Sequence, residues 1–217
     1  MHQTILVLVL IVCAVVSCQS YVVPEPEITV YRQRGFSVSI PHAPGIRIFG
    51  FHANINREIT DSQTGEISRD IAIHGNGKWT FYDRRNKLNI GDTIHYWLYV
   101  QKHGMDYKFI NGLFTVKELV ENPLIRNAGK ASHYTGADEI SSAKTLTLSG
   151  RIPLDGFALS TVAFVLKEKL DIDPVIVAAQ RNSDGSITFE VPSIQDKSNI
   201  LAAAKSSFSA GTKINIQ

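Results

Sequence analysis

Between residues 21 and 119 short β-rich runs follow one another with turn signals between them, and that spacing constrains the fold more than anything else in the chain. The runs span residues 28–32, 36–40, 46–55, 69–74, 78–83, 93–100, 107–110 and 113–116. The breaks carry Pro41 and Gly45, Thr64-Gly65, Gly75 and Gly77, Gly91-Asp92, and Asn111-Gly112. Short strands at such intervals predict an antiparallel sandwich of about a hundred residues.

Within that pattern, residues 87–116 place aromatic side chains at alternating positions. His95, Trp97 and Tyr99 lie two apart, so an extended chain points them from one sheet face. A Trp and a Tyr side by side serve either as core or, on an open face, as a flat apolar platform that stacks on sugar rings. The alternation establishes a face and leaves both readings open. Trp79 alternates with Phe81 in KWTF and is expected inside the sandwich. His52, in the apolar FGFHANI context, reads as a hydrogen-bonded structural His, and Asp70 beside Arg69 has the plain reading of a surface ion pair.

Residues 4–16 (TILVLVLIVCAVV) form an unbroken apolar run followed by Ser17, Cys18, Gln19 and Ser20. This is the pattern of a secretory signal peptide, too short for a membrane span, with cleavage expected near Ser20. Both cysteines, Cys13 and Cys18, fall in that segment, so the secreted chain is expected to hold together by burial without a disulfide. The same position excludes a thiol nucleophile or a Cys-based zinc site. A net charge of +2 is too small to argue for nucleic acid or an anionic membrane as the main partner.

The character changes after residue 119. Residues 120–143, with Pro123, Asn127-Ala128-Gly129, Ser132, Thr135-Gly136 and Ser141-Ser142, read as a linker. Beyond it, residues 144–152 alternate like a strand, and 158–170 carry a helical stripe of Leu159, Val162, Ala163, Leu166 and Leu170. Strands are expected at 175–180 and 187–191, a second helix at 197–208 and a last strand at 213–216. The order β-α-β-β-α-β predicts a small α+β domain of the split-βαβ, ferredoxin-like kind over residues 144–217.

Several spaced motifs in the first half occur in a familiar order: VPEP at 23–26, FSVSIP at 36–41, FGFH at 49–52, RDI at 69–71, GKWTF at 77–81, IGD at 90–92 and YWLYV at 96–100. Over residues 21–118 the chain resembles the N-terminal carbohydrate-binding module, family 39, of insect β-1,3-glucan recognition proteins, also called Gram-negative-bacteria-binding proteins. The resemblance implies an immunoglobulin-like β-sandwich at 21–119, following a leader at 1–20. It implies a secreted, extracellular pattern-recognition protein of innate immunity that binds β-1,3-glucan of fungal walls. Carried over residue by residue, it implies a carbohydrate-binding set of Glu66, Asp70, Trp97, Tyr99 and Lys108. Carboxylates accept from sugar hydroxyls, a cation donates to them, and aromatic rings cover the apolar face of a pyranose. Ile67 and Phe114 stand where the family has Trp, which implies a thinner aromatic floor. Glu66 and Lys108 stand where it commonly has Asp and Arg, and Lys lacks the planar bidentate fork.

Residues 144–217 resemble, only loosely, a small βαββαβ domain of FP-like and retrotransposon-derived proteins. From residue 119 onward there are ten Lys and Arg and ten Asp and Glu, so no basic footprint supports nucleic acid as a partner. Self-association or an immune-cascade protein partner is the expected role of this part.

Enzyme signatures are missing from the sequence. The E-x-D-x-x-E strand of glucanase domains is absent, as are G-x-S-x-G, a phosphate loop, and H-x-x-x-H or H-E-x-x-H metal spacing. No catalytic residue, metal or cofactor is expected. The alternative to glucan binding is a secreted structural or protein-interaction molecule that kept the sandwich and lost its ligand, with Trp97 covered by protein.

Overall fold

The computed structural model describes residues 20–122, 142–153, 156–208 and 214–217. Residues 1–19 of the expected leader, with both cysteines, 123–141 of the expected linker and Lys213 of the expected last strand lie outside the described residues.

Eleven strands and two helices are described, and every strand-to-strand ladder is antiparallel. Strands β1 (Glu27–Val30), β2 (Phe36–Pro41) and β5 (Lys78–Asp83) make a three-stranded sheet in the order β1-β2-β5. The other strands of the first half are β3 (Ile46–Ile55), β4 (Ile67–Ile71), β6 (Thr93–Lys102) and β7 (Met105–Thr115). The second half supplies β8 (Thr145–Gly150), α1 (Ala158–Leu170), β9 (Ala178–Arg181), β10 (Ile187–Glu190), α2 (Ile194–Ser207) and β11 (Ile214–Ile216). Both halves join in one eight-stranded sheet, β11-β8-β10-β9-β4-β3-β6-β7.

The first core lies between the three-stranded sheet and the β4-β3-β6-β7 part of the larger one, consistent with the expected β-sandwich. Alternation decides which residues enter it. Phe36, Val38 and Ile40 from β2, Trp79 and Phe81 from β5, Phe49 and Phe51 from β3, and Ile94, Tyr96, Leu98 and Val100 from β6 are all buried there. Phe51 and Phe81 bring their ring centroids within 4.7 Å across the two sheets. Full burial of each such side chain is worth about 1.5–3 kcal/mol, so this layer dominates the stability of the first half.

Two runs expected as separate strands, 107–110 and 113–116, form the single strand β7. Asn111-Gly112 is a bulge in it: the ladder with β6 shifts register between Tyr96 and Leu98, and Asn111 adopts a positive φ of 58°. A Cβ on Gly112 would lie 2.4 Å from the Tyr96 ring, so the glycine is required by close packing. The hairpin turn itself falls at His103-Gly104, both with positive φ, as a two-residue turn matched to strand twist requires.

The second core collects Leu146, Leu148, Val162, Val165, Leu166, Ile187, Phe189, Ile200 and Ala204, with the helices packed on the β11-β8-β10-β9 part of the sheet. Helix α2 starts three residues earlier than expected. Ser193 caps it, accepting the Asp196 amide at 3.1 Å while its hydroxyl donates to the Asp196 carboxylate at 2.6 Å. The two halves meet where β9 adds to the free edge of β4, pairing Asp70 with Ala179 and Ile71 with Ala178.

Candidate functional site

On the face of β4-β3-β6-β7 turned away from the first core, register sets side chains in rows. Asp70 on β4 stands opposite Gly50 on β3, Gly50 opposite Tyr99 on β6, and Tyr99 opposite Lys108 on β7. The next row runs from Ser68 through His52 to Trp97. A Cβ on Gly50 would lie 3.0 Å from Asp70 Oδ1 and 3.3 Å from both His52 Nε2 and Tyr99 Cβ, so the missing side chain lets these three groups converge.

The Trp97 indole is fixed by its own half of the chain. It stacks on His52 at 3.8 Å with the planes 4° apart, and its N–H donates to the Gln63 carbonyl at 2.8 Å. Lys108 Nζ lies 5.2 Å from the ring centroid, within cation–π range. The same ammonium donates to the Asp61 backbone carbonyl at 3.1 Å and pairs with the Asp61 carboxylate at 3.2 Å. Tyr99 O–H donates to Asp106 at 2.6 Å; burial first, and then the Asp106 carboxylate, hold its phenol above the ordinary range.

The expected residues therefore divide into a floor and a rim. Trp97, Tyr99 and Asp70 form the floor, with relative exposures of 5%, 1% and 1%. Lys108 and Glu66 remain open to solvent at the rim, Glu66 pairing with Arg57 at 2.8 Å. The plain reading of Asp70 as an exposed partner of Arg69 does not hold, because Arg69 turns to Glu190 at 3.0 Å while Asp70 is buried. Nor do Ile67 and Phe114 thin this floor. Ile67 points into the sandwich core and Phe114 packs against that core, since alternation assigns both to the opposite face.

What covers the floor is the start of α1. Phe157 stacks on Tyr99 with centroids 3.7 Å apart and planes at 23°, and lies 6.5 Å from Trp97 and 6.2 Å from His52. The Leu159 amide donates to Asp70 Oδ2 at 3.0 Å. Ile48, Trp97 and Tyr99 thereby form an apolar cluster with Ile59, Phe157 and Leu159. Sequence reasoning missed Phe157 and Leu159: one precedes the expected helix and the other belongs to its expected stripe.

Among the described residues, two polar atoms in the floor have no hydrogen-bond partner, His52 Nε2 and Asp70 Oδ1, which face each other at 3.8 Å. Burial pushes the Asp70 carboxyl up to about 6, against the opposing pull of the Leu159 and Ala158 amides and Arg181. Burial drives the His52 imidazole down to about 4, with the Thr64 carbonyl opposing and Lys108 reinforcing the shift. His52 is thus neutral at physiological pH and structural, with Nδ1 3.0 Å from the Ser68 hydroxyl. Chemically the site offers two aromatic surfaces, a carboxylate acceptor and an ammonium donor on one sheet face.

Known proteins share this sandwich sequence. Gram-negative bacteria-binding protein 3 of Drosophila melanogaster is 44% identical over 98 residues, 45% of this chain and 20% of its own length. The Beta-1,3-glucan-binding protein of Tenebrio molitor is 34% identical over 143 residues, 60% of this chain and 30% of its own length. Beta-1,3-glucan-binding protein 1 of Galleria mellonella is 39% identical over 119 residues, covering 55% and 24%. The chain spans less than a third of the length of each of these relatives. The family CBM39, described as "Carbohydrate binding domain (family 32)", matches residues 22–137, more than half of the sequence. This chain belongs to that carbohydrate-binding domain family.

Proposed function

We propose that this protein is a secreted, non-catalytic recognition protein of innate immunity that binds β-1,3-glucan of fungal walls through the outer face of its sandwich. The observation that carries the proposal is the row from Asp70 through Gly50 and Tyr99 to Lys108, beside Trp97. The names of the relatives supply the polysaccharide class. Asp70 and Glu66 accept from sugar hydroxyls, Lys108 donates, and Trp97 and Tyr99 cover the apolar face of the pyranose. The missing glucanase and metal motifs support a binding role without catalysis.

In this proposal residues 1–20 are a leader, 21–119 an immunoglobulin-like carbohydrate-binding module, 120–143 a linker and 144–217 a ferredoxin-like domain. The strand order β11-β8-β10-β9, antiparallel throughout, supports the last assignment, as does a helix after each of β8 and β10. The C-terminal domain recruits an immune-cascade protein or clusters copies, because several weak sites on one polysaccharide gain through effective concentration.

Pull-down of the full chain on curdlan and titration with laminarin test the proposal, with circular dichroism to verify folding of each variant. Binding weakened by Trp97→Ala and by Lys108→Ala supports the site; undiminished binding in both variants refutes it. A second proposal, a protein-interaction molecule without glucan affinity, is favoured by the burial of Trp97 and Tyr99. It is supported if laminarin fails to bind both the wild type and a variant in which the contact over Tyr99 has been removed.

A further inference from the structure

The two closest contacts that the start of α1 makes with the floor use groups that a sugar would need. The Phe157 ring occupies the face of Tyr99 on which a pyranose would stack, and the Leu159 amide occupies the Asp70 oxygen that a hydroxyl would reach. We infer that residues 157–159 are an intramolecular cap on the carbohydrate site, and that glucan and this cap compete for Tyr99 and Asp70. This rests on the glucan proposal above and adds the regulation of the same site.

The contact is built to part. It includes two ladder pairs between β4 and β9, the Ala72 amide donating to the Val177 carbonyl at 2.9 Å, the Arg69–Glu190 ion pair, the Leu159 amide on Asp70 and the small Tyr99–Phe157 cluster. Each half retains its own core when separated, Phe51 and Phe81 in one and Val162 and Phe189 in the other. Contacts of this kind within a chain behave like transient interfaces. The platform needs no cap to keep its shape, because Trp97 is held by His52 and Gln63 from its own half.

The rim gives a polysaccharide a point of first contact. Lys108 and Glu66 stay accessible while the floor is closed, and their ion-pair partners, Asp61 and Arg57, come from the β3–β4 loop rather than the cap. If closed molecules outnumber open ones ten to one, the apparent glucan affinity is about tenfold weaker than that of the open form.

The test uses the full chain and laminarin. Amide hydrogen exchange at residues 157–160 and 178–181 is measured with and without saturating laminarin, and affinity is compared among wild type, Phe157→Ala and Glu190→Arg. The second variant opposes Arg69 with a like charge at the seam, away from the sugar-binding groups. Competition predicts faster exchange at Leu159 on laminarin binding, and affinities raised about tenfold in both variants. Laminarin bound to the wild type with the Leu159 amide still protected overturns the cap, as do opened variants that bind no better than wild type. If the opened variants expose Trp97 to acrylamide quenching and still bind no laminarin, the glucan proposal itself fails, and the competition with it.

Discussion

Asp70 Oδ2 accepts the backbone amide of Leu159 at 3.0 Å, so a carboxylate on β4 caps a helix that begins almost ninety residues further along the chain. Phe157, at the N-cap position, provides no side-chain acceptor, and the first-turn amides of α1 would otherwise lack partners. Asp70→Ala is expected to cost about 0.5–2 kcal/mol, the usual range for a lost cap. Asp70→Asn, which keeps an oxygen for Leu159 and removes a buried charge, should lose less. Urea denaturation checks both; an Ala variant with the wild-type midpoint contradicts the cap.

The same carboxylate and its neighbour His52 give opposing pH dependences. Raised from 3.8 to about 6, Asp70 binds its proton more tightly in the folded state, so its contribution to stability grows as pH falls through 6 towards 4. Lowered from 6.5 to about 4, His52 does the reverse: the unfolded chain takes up a proton first, and stability is lost as pH falls from 6.5 to 4. Lys108 acts on His52 and Arg181 on Asp70 as neighbouring cations. The two slopes largely cancel between pH 4 and 6. Relative to wild type, Asp70→Asn should lose stability on acidification over that range and His52→Gln should gain it, measured by denaturation at several pH values. Parallel curves for all three proteins would contradict the assignment.

Alternation made the sandwich legible in the sequence, because residues such as Phe36, Val38 and Ile40 announce a buried face wherever the strand is placed. It also gave the shared face of Trp97 and Tyr99. What alternation cannot encode is the occupant of that face, which depends on pairing between β4 and a strand more than a hundred residues later. Phe157 carried no signal, since a single aromatic before a helix has no period. Ser193 did carry one: a serine three residues before Asp196 is a start signal for α2. Asn111-Gly112 looked like a turn because bulges and turns use the same residues for the same left-handed backbone.

The bulge leads to a further expectation. With the Tyr96 ring in the place of any Cβ at position 112, Gly112→Ala must push a buried aromatic out of its rotamer or bend β7. Overpacking of that kind typically costs about 1–3 kcal/mol. Thermal denaturation should show the loss, with the Tyr96 ring resonances shifted in the NMR spectrum. An unchanged melting temperature would mean that β7 can slide past Tyr96.

Lys108 separates stability from recognition. Its ion pair with Asp61 is between side chains 41% and 48% exposed, so solvent screens it, and Lys108→Ala should change stability by less than about 1 kcal/mol. The cation over Trp97 adds about 0.5–1 kcal/mol at most at an exposed site. Recognition should suffer more, because the ammonium is the donor at the rim, and a hydrogen bond to a charged group contributes about 1.5–3 kcal/mol. Laminarin affinity is therefore expected to fall about tenfold or more in Lys108→Ala, with the denaturation midpoint nearly unmoved. Lys108→Arg should recover most of the affinity, since guanidinium donates in a planar fork and stacks on indole at least as well as ammonium. If Lys108→Ala binds laminarin as tightly as wild type while Trp97→Ala does not, the sugar lies on the aromatic floor without reaching the β7 edge.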